Sequence, residues 1–363
     1  MHTWYEQAVF YHIYPLGLLG AEKTNTLTET AHRLTELESW IPHISDLNGS
    51  AIYIGPLFES CTHGYDTKDF RLVDRRLGSN EDFARFVRLC HENGIRVVVD
   101  GVFNHTGREF FAFQDIREKR EASPYKDWYR GVNFGWGSPL GDPFGYEAWQ
   151  GHFELPCLNL WNPEIRQYLF DSIQFWVDNF NIDGIRLDCA NVLDFGFMKE
   201  LREKTSAMKP DFWLMGEVIH GEYNRWVNPE MLHSVTNYEL HKALYSGHND
   251  HNYFEIAHNV RRLEAVGRSL YTFVDNHDED RIASKLNNLA NLFPVYQLLF
   301  TLPGIPSVYY GSEWGIEGKR SRTSDEVLRP ALNLSDMHGK APELASHIAA
   351  LGKIHAENDA FQT

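Results

Sequence analysis

The sequence predicts an α/β fold, a closed (β/α)₈ TIM barrel with a small domain inserted after its third strand. Apolar, strand-like runs alternate with amphipathic stretches along the 363 residues, which is typical of βα repeats and a parallel sheet. There are eight such runs, the number that the barrel requires. One connection, residues 107–156, is far longer than the others and rich in Gly, Pro and aromatic residues. Connections of that length are usually functional or form small subdomains.

The eight predicted strands are short apolar segments bounded by polar or turn-forming residues. In chain order they are VFYHIY (9–14), AIYIG (51–55), RVVVDGV (96–102), DGIRLD (183–188), FWLMGEV (212–218), SVTNY (234–238), LYTFVDN (270–276) and IPSVYY (305–310).

Amphipathic segments between the strands predict the helices that cover the barrel. The clearest are residues 27–44, 80–94 and 162–180, and the second ends at Asn93-Gly94, a plausible helix stop. Residues 341–361 predict the eighth helix. We therefore expect residues 1–106 and 157–363 to form the catalytic barrel and residues 107–156 to form a domain over its mouth.

Composition excludes several classes of protein. A net charge of −16 disfavours nucleic-acid and anionic-membrane partners, because both need a basic surface. The N-terminus lacks the features of a signal peptide, and no apolar stretch approaches a membrane span. The four cysteines show no CxxC spacing, which argues against a zinc ribbon. A cytoplasmic protein is the expectation.

Polar side chains lie where predicted strands end, which is where barrel enzymes carry their catalytic groups. Within GIRLDCANV (184–192), Arg186 and Asp188 point the same way in an extended strand, with Cys189 on the opposite face as a packing residue. The strand-end candidates are Asp100, Asn104, His105, Arg186, Asp188, Glu217, His277 and Asp278. Each one alone has an alternative role as a helix cap, a structural ion pair or a buried core histidine.

Taken together, the strand-end carboxylates favour acid–base chemistry. Carboxylates from different strands that converge on one mouth repel one another and take different pKa values. Arg186 would hold one of them ionised, whereas an apolar setting would keep another protonated. Retaining glycoside hydrolysis needs that division between a nucleophile and an acid, about 5–5.5 Å apart.

Seven segments spread over nearly the whole chain carry a resemblance to a known family. They are HGYDTKDF (63–70), DGVFNH (100–105), LPCLNLWNPEIRQYL (155–169), GIRLDCAN (184–191), GEVIH (216–220), FVDNHD (273–278) and LPGIPSVYYGSEWGIEG (302–318). In this order they resemble the alpha-amylase family, glycoside hydrolase family 13. LPCLN and DCANV are most similar to its neopullulanase and cyclomaltodextrinase branch.

The resemblance implies an alpha-amylase-type glycosidase. Its substrates would be maltooligosaccharides, cyclodextrins or related α-glucans, cleaved mainly at α-1,4 links through a glycosyl-enzyme intermediate. The resemblance implies Asp188 as nucleophile, Glu217 as general acid/base and Asp278 as the third carboxylate, which grips the sugar. It implies substrate binding by Tyr65, Asp66, His105, Arg186 and His277, and structural support of the site by Asp100 and Asn104.

Three departures from the family pattern matter. Ile219 stands where relatives in that branch often have Trp, so a stacking contact beyond the cleaved bond is in question. Asn191-Val192 replaces the Lys-His pair of many alpha-amylases, so the motif does not support their calcium site. We expect no metal and no cofactor. The amino-terminal sugar-binding domain and carboxy-terminal β-sandwich of relatives are not found in these 363 residues.

Other functions stay open at this point. A transglycosylase would use the same residues, with a sugar hydroxyl in place of water. A sugar-binding barrel without catalysis is disfavoured because every carboxylate and the Arg are present. A metal-dependent hydrolase with Asp100, His105, Asp188 and His277 as ligands is disfavoured because Arg186 would repel a cation. The expected partner is an α-glucan, with no nucleic acid and no membrane.

Overall fold

The computed structural model describes residues 3–361. Within them a parallel sheet of eight strands runs in the order β10-β9-β8-β5-β2-β1-β12-β11. The strands of the described residues are β1 (Phe10–Ile13), β2 (Ala51–Ile54), β3 (Phe58–Ser60), β4 (Thr67–Val73), β5 (Arg96–Gly101), β6 (Ala148–Trp149), β7 (His152–Pro156), β8 (Gly184–Leu187), β9 (Trp213–Gly216), β10 (Ser234–Val235), β11 (Tyr271–Phe273) and β12 (Ile305–Tyr309). Each of the eight predicted strands is confirmed, and no end differs from the prediction by more than three residues.

Two strand contacts make the sheet a closed barrel, one between β1 and β12 and the other between β10 and β11. First and last strands pair in parallel, with Phe10 opposite Ser307. The other seam, between β10 and β11, is joined by a bridge from Thr236 to Tyr271, where the Asn237 N–H also donates to the Tyr271 carbonyl at 2.9 Å. The predicted TIM barrel is therefore confirmed.

Helices cover the outside of this barrel. They are α1 (Pro15–Leu18), α2 (Trp40–Asp46), α3 (Asn80–Glu92), α4 (Phe111–Lys119), α5 (Pro163–Phe180), α6 (Phe195–Met208), α7 (Tyr238–Asn249), α8 (Tyr253–Arg262), α9 (Ile282–Lys285), α10 (Leu292–Thr301), α11 (Leu334–Met337) and α12 (Pro342–Glu357). The long predicted helices at 80–94, 162–180 and 341–361 correspond to α3, α5 and α12. The Asn162 side chain caps α5 and Pro163 opens it, as expected for a helix N-terminus.

The predicted helix over residues 27–44 forms only in its second half. A 3₁₀ segment, Arg33–Ser39, precedes α2. The Ala31 N–H donates to the Arg75 carbonyl and the Leu34 N–H to the Leu77 carbonyl. These tertiary hydrogen bonds replace the i→i−4 bonds that a continuous helix would need.

Two antiparallel hairpins lie outside the barrel sheet. β3 pairs with β4, and the loop between them carries Tyr65 and Asp66. β6 pairs with β7 inside the long 107–156 connection. That connection has buried polar contacts of its own, because Arg108 and Tyr146 both donate to the buried Asp142 carboxylate.

The barrel interior is packed with side chains rather than open. At its lower end the rings of Phe10 and Trp213 stack with centroids 5.0 Å apart. Trp4, from the N-terminal segment, packs on Trp213 and donates its indole N–H to the Asp211 carbonyl at 2.8 Å. This end of the barrel is therefore sealed, and polar groups gather at the other end, where the strands finish. None of the helices within residues 3–361 combines the length and apolar character that a membrane crossing needs.

Candidate active site

Arg186 is the centre of the polar cluster at the barrel mouth. It lies on β8 and is only 3% exposed. One guanidinium nitrogen, Nη1, donates to Asp100 Oδ1 and to Asp188 Oδ1, each at 2.9 Å, and Nη2 lies 3.0 Å from Glu217 Oε2. Arg186 and Asp188 share one strand face because they are two residues apart. One buried cation therefore contacts carboxylates from three strand ends.

Cys189 lies between the two central carboxylates, contrary to the prediction that it packs on the opposite strand face. Its Sγ is 3.2 Å from Asp188 Oδ2, and its backbone N–H donates to Glu217 Oε2 at 3.0 Å. The prediction was wrong because the strand ends at Leu187 and Cys189 adopts a left-handed backbone, with φ of 49°. The strand alternation that the prediction assumed no longer applies there.

Glu217 has the surroundings of a carboxylic acid that holds its proton. Burial raises its pKa; Arg186 opposes that shift, while the negative charges of Asp188 and Asp278 add to it. The Tyr238 hydroxyl lies 3.4 Å from Glu217 Oε1. The net upward shift suits a group that donates a proton near neutral pH.

Asp278 has the opposite electrostatic setting. Burial by itself would raise its pKa, but His277 and then Arg329 lower it well below the usual range. Asp278 Oδ2 lies 3.0 Å from His277 Nε2, and Oδ1 accepts from Arg329 Nη2 at 2.8 Å. The site therefore contains Asp278 as an anion, whereas the surroundings of Glu217 favour the protonated form of Glu217.

Three aromatic rings form a stack beside Asp278. His277 lies between Tyr14 and Tyr65, with ring centroids 5.6 Å and 5.8 Å away and nearly parallel planes. The Tyr65 hydroxyl is 2.6 Å from His277 Nε2 and donates to Asp100 Oδ2 at 3.1 Å. The stack joins the β3–β4 loop to the ends of β5 and β11 and fixes the orientation of His277.

Asp100 lies beneath the cluster. It is buried, accepts from Arg186, and also accepts from the Tyr53 hydroxyl at 2.9 Å. Burial raises its pKa while Arg186 opposes the shift. These contacts are those expected of a group that supports Arg186 from below.

His105 is a buried histidine with an unused nitrogen. Asn104 Nδ2 lies 3.2 Å from His105 Nδ1, and no protein partner of His105 Nε2 is found within residues 3–361. Burial lowers the pKa of His105 to about 4, so the ring is neutral at pH 7. His105 Nε2 is therefore a buried ring nitrogen that a bound ligand could contact.

Asp66 is held within its own loop. Its carboxylate accepts from the Thr62 N–H at 3.1 Å and from the Thr62 hydroxyl at 2.7 Å. In the described part of the chain its hydrogen bonds do not reach Asp188, Glu217 or Asp278. The other predicted site residues form one connected cluster or, like Asn104 and His105, lie on the adjoining end of β5.

Comparison with known proteins matches this chain to one family. The model described as alpha amylase, catalytic domain, covers residues 24–342. The chain belongs to the alpha-amylase family. A maltogenic alpha-amylase of Bacillus acidopullulyticus is 30% identical over 98% of this chain and 63% of its own length. A cyclomaltodextrinase of Thermoanaerobacter pseudethanolicus is 34% identical over 77% of this chain and 50% of its own length.

Solved structures of alpha-amylase relatives agree with the fold. A cyclic alpha-maltosyl-(1→6)-maltose hydrolase from Arthrobacter globiformis, in complex with maltose, superposes with a TM-score of 0.86 at 27% identity, covering 100% of this chain and 86% of that one. A cyclomaltodextrinase superposes with a TM-score of 0.87 at 27% identity, over 99% of this chain and 64% of that one. The chain therefore spans between about half and two thirds of the first curated relatives that it matches.

Within residues 3–361 of this chain, one group of side chains could hold a metal ion. Donor atoms of Asp188, Cys189 and Glu217 lie within 4.8 Å of one another. Arg186 already contacts both carboxylates, and its positive charge opposes a second cation at this distance. We assign no metal role to the cluster, and activity without a metal stays a prediction.

Several side chains at the site were not predicted from the sequence. Tyr238 and Asn276 form a hydrogen-bonded pair behind Glu217, at 3.1 Å. Arg329 reaches Asp278 from a loop after β12 and lies over the Tyr14 ring at 4.6 Å. Asn276 belongs to the FVDNHD segment and could have been included on that ground. Arg329 has no local sequence signal, because only the path of the chain brings it to Asp278.

Proposed function

We propose that this protein is a retaining glycoside hydrolase that cleaves α-glucosidic links, mainly α-1,4, in maltooligosaccharides, cyclodextrins or related α-glucans. The observation that carries the proposal is the spacing of the two central carboxylates. Oxygens of Asp188 and Glu217 lie within 4.8 Å of each other. That spacing suits direct attack by one carboxylate, whereas an inverting enzyme needs about 6.5–9.5 Å to admit a water molecule.

The residues divide the first chemical step between them. Glu217, with its raised pKa, protonates the glycosidic oxygen as the bond breaks. Asp188 attacks the anomeric carbon and forms a covalent glycosyl-enzyme. Arg186 orients Asp188 through Nη1. The leaving sugar departs with the proton from Glu217, which becomes a carboxylate.

The second step reverses these roles. Glu217, now ionised, takes a proton from water, and the water oxygen displaces Asp188 from the anomeric carbon. A sugar hydroxyl in place of water would give transfer rather than hydrolysis, the alternative outcome of the same site. The anionic Asp278, the neutral His105 and the His277 ring would bind hydroxyls of the sugar undergoing cleavage.

The substrate class rests on the relatives. Their names describe a maltogenic amylase, a cyclomaltodextrinase and a hydrolase of a cyclic maltosyl-maltose, all of which act on α-linked glucose. Residues 107–156 would act as the inserted domain over the mouth. The residues just outside the two ends of this segment, His105 and Cys157, form a bridge beside the site. The assignment of Tyr65 and Asp66 to the same sugar is part of the proposal. For Asp66 it requires the bonds to Thr62 to be shared or exchanged.

Proton NMR on fresh digests of maltooligosaccharides tests the proposal. Two displacements return the anomeric centre to its original configuration, so the first-formed reducing end should be the α anomer. Appearance of the β anomer first would contradict the mechanism. Absence of turnover on maltooligosaccharides, cyclodextrin and pullulan alike would contradict the function. Asp188→Asn serves as the inactive control.

A further inference from the structure

Trp161 is an exposed tryptophan whose orientation is fixed. Its side chain is 80% exposed, yet the indole Nε1 donates to Asp194 Oδ2 at 2.9 Å. Asp194 is itself held, because Oδ1 accepts from the Phe197 N–H at 2.8 Å and from Arg166 Nη2 at 2.6 Å. The ring is therefore fixed at one edge while its faces remain open to solvent.

The fold locates this ring on the rim of the barrel mouth. Trp161 lies just before α5, in the segment that starts at Cys157 beside His105. Asp194 lies six residues after Asp188 and caps α6. Trp161 therefore belongs to the connection that follows β5, and Asp194 to the connection that follows the neighbouring strand β8. Asp278 follows β11, which lies on the far side of the barrel from β5 and β8 in the closed strand order.

The leaving group is expected on the same side of the barrel mouth as Trp161. Glu217, the proposed acid, must face the glycosidic oxygen and therefore the departing sugar. It follows β9, which is paired with β8. Two exposed apolar side chains occur on these loops, Val192 at 49% and Ile219 at 43% exposure. Neither of them offers a flat ring.

We propose that Trp161 is a stacking platform for a glucose unit in the leaving-group part of an α-glucan, beyond the sugar attached to the cleaved bond. The proposal rests on the function proposed above. An indole face is large, flat and apolar and matches the C–H face of a pyranose, while the neighbouring Asp194 carboxylate can accept from its hydroxyls. Because the ring is already ordered by Asp194, binding costs little conformational entropy.

Two substrates distinguish stacking by Trp161 from an effect on the bond-breaking step. One is a maltohexaose-length chain, which places glucose units beyond the cleaved bond. The other is a nitrophenyl maltoside cleaved at its aryl bond, which has none. Trp161→Ala should lower kcat/KM on the long chain by about tenfold, chiefly through KM, and leave the aryl substrate within about twofold. Trp161→Phe keeps a ring but loses the bond to Asp194, and should be intermediate.

The matched control is Phe254→Ala on α8, which removes another exposed aromatic ring, 87% exposed, outside the loops of this rim. It should leave both substrates unchanged. Equal kcat/KM of Trp161→Ala and wild type on the long chain would overturn the platform. So would an equal loss on both substrates, which would indicate a structural role. Failure of the wild type to cleave any glucan would instead refute the function on which the platform rests.

Discussion

At the scale of single residues, the site depends on how one guanidinium is shared. Arg186 contacts Asp100, Asp188 and Glu217 at once, so the cluster contains more negative than positive charge when all three ionise. The pKa values of Glu217 and Asp100 are raised and that of Asp278 is lowered. The site thus has a carboxyl that favours its protonated form near a carboxyl that favours its ionised form.

The nucleophile is tested by Asp188→Asn. The substitution keeps the shape of the side chain but removes the negative charge that we propose attacks the anomeric carbon, so kcat should fall by about 10³-fold or more. Arg186 retains Asp100 and Glu217 as partners, so the fold should persist, as checked by circular dichroism and thermal unfolding. A variant that keeps a tenth of wild-type activity would refute the assignment.

The acid is tested by Glu217→Gln. The amide can still accept from the Cys189 N–H but has no proton to transfer. Cleavage of maltooligosaccharides should drop by about 10²–10⁴-fold, while hydrolysis of an α-glucosyl fluoride should fall much less, because fluoride leaves without protonation. Measuring kcat on both substrates tests whether Glu217 is the proton donor. Equal losses on both substrates would argue for a role other than proton donation.

At the scale of elements, β8 carries a cluster of charges at each end. At its lower end the buried Asp183 accepts from His91, Arg96, Lys209 and the Val97 N–H at 2.7–3.0 Å. This arrangement ties α3, β5 and α6 to the start of β8. Burial alone would raise the pKa of Asp183, but the bonds from His91 and Val97 and the charge of Lys209 lower it to about 2.

This cluster predicts a pH-dependent contribution to stability. Because the pKa of Asp183 is lower in the folded state than the ordinary value of 3.8, its contribution is fully present above about pH 4 and is lost as pH falls toward 2. Asp183→Asn should lower the free energy of unfolding at pH 7 by about 2 kcal/mol or more. Denaturant titrations at pH 7, 4 and 2.5 should show that difference shrinking with acid. A constant difference would mean that packing, rather than charge, dominates.

The individual elements show which parts of the fold and the site could be predicted from the sequence. Barrel strands such as Arg96–Gly101 are continuous apolar runs with a polar residue at the end, and both features can be recognised locally. The β3–β4 hairpin was missed because its strands carry charged residues and an irregular register. The contacts of Cys189 and Arg329 were missed because a left-handed residue and a distant loop produce them, and neither leaves a periodic pattern.

At the scale of the whole molecule, the 107–156 connection is the segment that we expect to influence which substrates can enter. Half of its twelve aromatic side chains, including Trp128, Phe144 and Tyr146, are buried, and these pack in one hydrophobic cluster with residues of the barrel. Trp149 is different, because its ring centroid lies 5.9 Å from that of His105. We therefore expect the loop that carries Trp149 to line one side of the site.

We accordingly predict higher catalytic efficiency on maltooligosaccharides or cyclodextrins than on soluble starch. If the loop that carries Trp149 lines the cleft, long, branched chains must pass it, whereas short or cyclic ones need not. The measurement is kcat/KM per cleavable bond on each substrate. Trp149→Ala should narrow the gap, with Trp136→Ala as a control from the same connection. A clear preference of the wild type for starch would show that the cleft is open.

The pairing of β1 with β12 has a consequence for synthesis of the chain. Phe10 and Ser307 are neighbours in the sheet but are translated almost 300 residues apart. Until β12 leaves the ribosome, one edge of β1 is an unpaired, apolar template of the kind that joins other chains. Asp100, Glu217 and Asp278 all precede β12 in the chain, and Asp278 is the last of these carboxylates to be translated. We expect ribosome-bound chains that end before residue 305 to need a chaperone. The complete barrel mouth should form only after β12 pairs with β1.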